Sequence, residues 1–134
     1  MTTIATESKR LSNWLKWELA VEVAYCRKEV IANEAAAIAY VSGDVLGKVT
    51  ATGKYKISKA DATDGSEVPA GVVIYDTAIA AATDKGVAIL AKGPAIVGKK
   101  GIRLDATFNT APELAAAYAA LEALGINVVE QIGV

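Results

Sequence analysis

Residues 43–55, GDVLGKVTATGKY, limit the folds open to this chain more than any other stretch. Val45, Leu46 and Val49 give it apolar, largely β-branched character, while Gly43, Gly47 and Gly53 break it where the backbone can bend, bulge or take a positive φ. Lys48, Thr50, Thr52 and Lys54 keep one side wet. The run is too broken for a helix, so it predicts two short strands turning sharply on glycine. None of its side chains pairs a nucleophile with a base. The stretch is scaffold.

The rest of the chain extends this β-rich pattern. Residues 27–31, 55–58, 70–75, 86–91, 95–97, 102–104 and 126–129 are short apolar runs bounded by turn residues, and each predicts a strand. Residues 35–40 fit either a helical turn or a strand. Residues 59–68 read as a surface loop turning at Asp64-Gly65, and residues 76–85 as a return to small and acidic residues. One helix stands out. Thr110-Ala111-Pro112-Glu113 has the form of a capping box, with Thr110 as N-cap, Glu113 reaching back to it and Pro112 tolerated in the first turn. Leu114, Tyr118, Leu121 and Leu124 share a face, and Gly125 ends the helix as a C′ glycine.

Bulk properties narrow the function classes. A chain of 134 residues suits one domain, with no internal repeat or linker to mark a second. A formal net charge of -1 speaks against a general nucleic-acid binder. The lone Cys26 excludes an intrachain disulfide and suits a reducing compartment. Residues 1–10, MTTIATESKR, are polar and expected to be disordered when free, and they lack the apolar core of a secretory signal. No apolar run approaches the roughly 20 residues needed to span a bilayer. These features predict a soluble protein made in a cytoplasm, with no membrane partner. The absence of histidine removes the commonest base and the commonest metal ligand.

The remaining candidates for chemistry read better as structure. Asp61, Asp64 and Glu67 lack the spacing of a calcium loop and read as a solvated turn. Gly47-Lys48 is followed by Val49 rather than Ser or Thr, so no phosphate loop is formed. Cys26 lies beside Arg27, but with no histidine it cannot form a Cys-His pair. Ser66 lacks a nucleophile-elbow context, and Lys99-Lys100 reads as a solvated basic turn. The expectation is a binding or structural protein with no catalytic residues, no metal and no cofactor.

The front of the chain is where a partner is expected. Leu15, Trp17, Leu19, Val21, Val23 and Tyr25 alternate with more polar or smaller residues, the period of an extended arm. A short helix competes, because Leu11, Trp14, Leu15 and Glu18 would share one helical side. Ordering residues 15–25 costs about 11–22 kcal/mol, while burying their larger apolar side chains returns about 9–18 kcal/mol. Such an arm is ordered only where its own domain or a partner supplies a surface and strand-edge hydrogen bonds. Trp14 and Trp17 therefore have two readings: closure over the domain's own core, or anchorage on a partner.

The sequence VLGKVTATGKY, then Asp64-Gly65-Ser66-Glu67-Val68, then Ala70-Gly71-Val72-Val73-Ile74-Tyr75-Asp76, resembles the lambda-type head decoration proteins of tailed bacteriophages. The resemblance continues through residues 86–93 and the alanine-rich helix to residues 124–129. It implies a mostly β, β-clip-like barrel or sandwich of short strands with one C-terminal helix and an extended N-terminal arm. It assigns residues 1–24 to a capsid-binding arm and 25–134 to the decoration domain. It further implies a homotrimer on the outer surface of the expanded head, at threefold positions, clamping the major capsid protein, with the N-terminal arm adding a strand to the capsid shell. The capsid-binding role falls on Asn13, Trp14, Leu15, Lys16, Trp17 and Glu18. The rival reading is a small-ligand-binding or enzymatic domain on a similar scaffold, and a third is a secreted adhesion module.

Overall fold

Short, glycine-broken strands close here into a barrel. The computed structural model describes residues 14–20 and 25–130; the expected disorder of residues 1–10 and the far end of the expected arm, residues 21–24, lie outside them. The elements run β1 (Leu15–Glu18), β2 (Arg27–Ala32), β3 (Ile38–Tyr40), β4 (Val45–Lys48), β5 (Tyr55–Ile57), β6 (Pro69–Val73), β7 (Thr77–Ile79), β8 (Lys85–Leu90), β9 (Ala95–Gly98), α1 (Ala111–Ala123) and β10 (Ile126–Val129). Strands β2, β5, β4, β6 and β8 form the closed barrel, in that order. A three-stranded sheet, β1-β9-β10, and a two-stranded ribbon, β3-β7, complete the β structure.

Two cores share the barrel wall. Inside lie Val30, Ala32, Leu46, Tyr55, Ile57, Val73, Val87 and Ile89, closed at one end by Tyr40 and Ile79 of the ribbon. Outside, Val45, Val72 and Leu90 pack with Leu121 of α1, Val97 of β9 and Ile126 of β10. Neighbouring residues on one strand thus serve opposite cores, which is why the barrel strands read as continuous apolar runs.

The predicted turn on glycine is present between β4 and β5. Val49 N–H donates to Lys54 O at 2.8 Å, Gly53 N–H donates to Val49 O at 2.8 Å, and Gly53 takes a φ of 72°. Gly47 serves a different need. A Cβ there would collide with the backbone carbonyl of Ser66, so the hairpin lies directly on the 58–66 loop. Ser58 Oγ, donating to Ser66 O at 2.7 Å, fixes that approach. The capping box is also as expected. Thr110 accepts from Glu113 N–H, and the Glu113 carboxylate accepts from Thr110 N–H at 3.2 Å. Gly125 follows the C-cap Leu124 with a φ of 88°.

Three expectations are corrected. Residues 76–85 contain a strand, β7, which pairs with β3 and settles residues 38–40 as strand. Residues 102–104 form no strand; Arg103 makes only an isolated bridge to Asp44. The alternating run at the front gives a strand of four residues that turns at Leu19 and Ala20, where Ala20 has a φ of 50°.

Glu34 ties the ribbon to the barrel. Its Oε2 accepts from Tyr40 OH at 2.5 Å and from Ile57 N–H at 2.7 Å. Burial, then the hydrogen bond to Glu34, pushes the Tyr40 hydroxyl well above its ordinary range. Below about pH 10 both folded and unfolded chains keep this proton, so the contribution is fully present; above it the unfolded chain ionises first and stability is lost.

Two predictions test this account. Gly47→Ala should cost at least about 2 kcal/mol in chemical denaturation, because backbone rather than a flexible side chain must yield. Gly53→Ala, strained only by its φ, should cost about 1–2 kcal/mol. Tyr40→Phe should cost about 1–2 kcal/mol at neutral pH. Its deficit against the parent should shrink as pH rises from about 9 to about 11, and an unchanging deficit would contradict the alkaline linkage.

Candidate functional site

The front segment is built into the sheet as an edge. β1 runs antiparallel to β9, pairing Leu15 with Val97, Trp17 with Ile96 and Glu18 with Ala95, ahead of the expected start of the domain's strands at residue 25. A bulge between Leu15 and Trp17 breaks the period-two phase. As a result Leu15 packs against the outer core while Trp17 is exposed; Trp14 and Glu18 are buried and Lys16 is exposed. Asn13 lies outside the described residues.

The two tryptophans divide between the two readings. Trp14 is fully buried in the outer core, and its Nε1–H donates to Ser42 Oγ at 2.8 Å. Ser42 is held in turn, its N–H donating to Asp76 Oδ1 at 2.8 Å. Trp17 is 48% exposed, on a strand whose flanking side chains are locked.

Glu18 supplies the second lock. Its buried carboxylate accepts from Arg27 Nε at 3.0 Å and from Arg27 Nη2 at 2.5 Å, joining β1 to the first barrel strand. This hydrogen bonding raises the Arg27 guanidinium above its ordinary pKa. Removing one member of such a buried pair leaves an uncompensated charge, a cost of about 3–5 kcal/mol. Arg27 Nη1 also donates to the hydroxyl of Tyr75 at 3.3 Å. Leu19, Tyr25 and Tyr75 are exposed large side chains near these contacts in sequence or by hydrogen bond, and Lys92 sits 4.2 Å above the Tyr25 ring. Sequence reasoning missed Tyr75, which reads as the end of a buried strand. Its position just before Asp76 was the available signal that the strand was ending.

The other candidate groups are engaged with their own surroundings. Asp64 Oδ1 accepts from Ser66 N–H at 3.1 Å and Oγ at 2.5 Å, and Oδ2 accepts from Lys56 Nζ at 2.9 Å. The Ser66 hydroxyl, followed by Lys56, holds the Asp64 carboxyl far below the usual carboxylate range. Among the described residues no cluster of three or more His, Cys, Asp or Glu side chains could hold a metal. Cys26 is buried, with Sγ 3.5 Å from Pro94 O. A cleft of 360 Å³ is lined in part by Asp44 and Arg103, but Arg103 clasps both carboxylate oxygens, at 2.6 and 2.8 Å. No described helix is long and apolar enough to cross a membrane.

Trp14→Ala should therefore destabilise the free protein by about 3–5 kcal/mol, whereas Trp17→Ala should cost under about 1 kcal/mol. Equal losses in thermal or chemical melts would show that the two side chains do not divide between core and surface.

A family model described as bacteriophage lambda head decoration protein D matches residues 4–126 of the chain. No curated protein matches it.

Proposed function

Because the chain belongs to the bacteriophage lambda head decoration protein family, we propose that it is a structural protein of the phage head which binds the outer surface of the expanded capsid. It does so at threefold positions, as a homotrimer, and steadies the lattice of the major capsid protein. The family is one of structural head proteins rather than enzymes. The chain is made in the host cytoplasm and ends on the virion, with neither nucleic acid nor membrane as a partner.

The observation that carries the contact is Trp17, an exposed tryptophan on an edge strand. Asn13, Trp14, Leu15, Lys16, Trp17 and Glu18 form the capsid-contacting part of an arm assigned to residues 1–24, with the domain proper at 25–134. Within that segment the roles differ. Trp14 and Glu18 hold the strand in place from inside, and Trp17 presents the apolar surface. β1 lies at the edge of its sheet, with β9 on one side. A strand of the capsid shell added along the opposite edge would gain backbone hydrogen bonds, with alternate side chains filling pockets. Three copies held together would multiply weak single contacts into tight binding. A small-ligand or enzymatic role is less well supported, since the acid in the Asp44–Arg103 cleft is already paired.

Co-sedimentation with expanded, empty phage heads tests the reading. A buried tryptophan removes about 150–250 Å² from water, and much of that gain is lost to ordering. Trp17→Ala should weaken decoration at least about tenfold, or about 1.4 kcal/mol, without moving the melting temperature. Undiminished decoration by this variant would defeat the assignment of Trp17, and a capsid reconstruction with density away from the threefold axes would defeat the site.

A further inference from the structure

The closed barrel is joined most sparingly between β2 and β5. These parallel strands pair at Ala32 with Tyr55, where β2 ends and β5 begins, so the N-terminal half of β2 has no residue of β5 beside it. A groove of 500 Å³ opens in this region, and its lining is electrostatically one-sided. Arg27, Lys28, Lys48 and Lys92 all line it, and no lining residue is acidic.

Strand parity explains how two of these cations reach the groove. Lys28 is two residues before the buried Val30 and opposite Ile89 of the inner core. Lys48 is two residues after the buried Leu46 and opposite Tyr55. Both therefore continue inward-facing rows at positions where the core gives way to solvent, and both are exposed. Neither has a carboxylate partner among the described residues. The other two cations are positioned from behind: Glu18 clasps Arg27, and the Tyr25 ring carries Lys92. Tyr25 and Tyr55 contribute aromatic surface, and Ala70 and Ala91 leave room at the base.

From this arrangement we propose that the groove is a docking site for a short, extended acidic peptide segment of a partner protein. Charge complementarity selects the occupant. The chain as a whole carries a net charge of -1, so removing these four cations from the count leaves the remainder clearly negative. A polyanion long enough to reach beyond the groove, such as a nucleic acid, would be disfavoured by that net negative remainder. A few carboxylates confined to the groove meet only the local positive field, since charges beyond about 8–10 Å are screened at ordinary salt. The tyrosines and alanines suit a peptide backbone and its aliphatic stems. Lys16 and Trp17 of the proposed capsid contact do not line the groove, and Glu18 meets it only through its pair with Arg27.

The test is titration of the full-length protein with fluorescein-labelled hexaglutamate, alongside an equally labelled oligothymidylate. Hexaglutamate should bind, weaken as salt rises from about 50 to about 200 mM, and lose at least roughly tenfold in affinity in the Lys28→Glu, Lys48→Glu double variant. On nitrogen-labelled parent protein, amide shifts should map to Lys28, Lys48, Tyr55 and Lys92, a readout that does not depend on the variant folding. The proposal is overturned by absence of hexaglutamate binding, by shifts elsewhere on the surface, by equal affinity in a folded double variant, or by tighter binding of oligothymidylate.

Discussion

Val72 and Val73 are adjacent in β6 and both fully buried, one facing the outer core and the other the inner. That double burial is the constraint on which the rest of the architecture depends. A barrel of such short strands encloses little volume, and each fully buried valine or leucine contributes only about 1.5–3 kcal/mol. Covering the outer face with α1 and the β1-β9-β10 sheet lets the same strands bury apolar surface twice. It also demands close backbone approach, because layers on both sides must fit around a tightly curved wall. Gly47 meets that demand against Ser66, and Gly93 meets it against the carbonyl of Gly125 at the end of α1.

The same constraint explains why the front of the chain folds back. The outer core needs a lid over its β9 edge, and Trp14 supplies the largest side chain of that layer. An indole N–H buried there without an acceptor would forfeit about 1–3 kcal/mol, and Ser42 removes that penalty. Ser42 is only one residue ahead of Gly43, so the glycine-rich stretch that shapes the barrel also presents the acceptor for β1. Asp44, two residues further on, uses both carboxylate oxygens on Arg103 and also accepts from Val41 N–H, which stiffens this corner.

Local chemistry was legible where a single residue type has one use. Thr110 and Glu113 announced the start of α1 and Gly125 its end, because few other arrangements satisfy those backbone groups. Strands β2, β4, β5, β6, β8, β9 and β10 followed from apolar runs between turn residues, but the same pattern at residues 102–104 gave only an isolated bridge. β7 was hidden because its three residues, Thr77, Ala78 and Ile79, carry one buried side chain between them and gain their pairing from β3. The phase of β1 was hidden for another reason. A bulge adds one residue to one strand without marking the sequence, and it put Leu15 and Trp17, which strict alternation would place on one face, opposite the consecutive residues Val97 and Ile96 and so on different faces. The segment 13–18 could be singled out from its tryptophans, but which of them faces outward depended on a partner strand some 80 residues away. The cationic groove was equally illegible, since Lys28, Lys48 and Lys92 meet only through barrel closure.

The locks on β1 bear directly on what an exposed Trp17 can do. A tryptophan on a free tail that docks on a partner must bring its own backbone to order, at about 1–2 kcal/mol per residue. On β1 that cost has already been met within the fold, by Trp14 in the outer core, by Glu18 on Arg27 and by pairing with β9. A partner contact through Trp17 then requires little beyond fixing the indole itself, so more of its apolar burial remains as affinity. The buried neighbours are therefore part of the proposed contact even with their side chains turned into the fold: loosening either lock would return the ordering cost to the binding step, and a surface residue would lose affinity through a change made in the core.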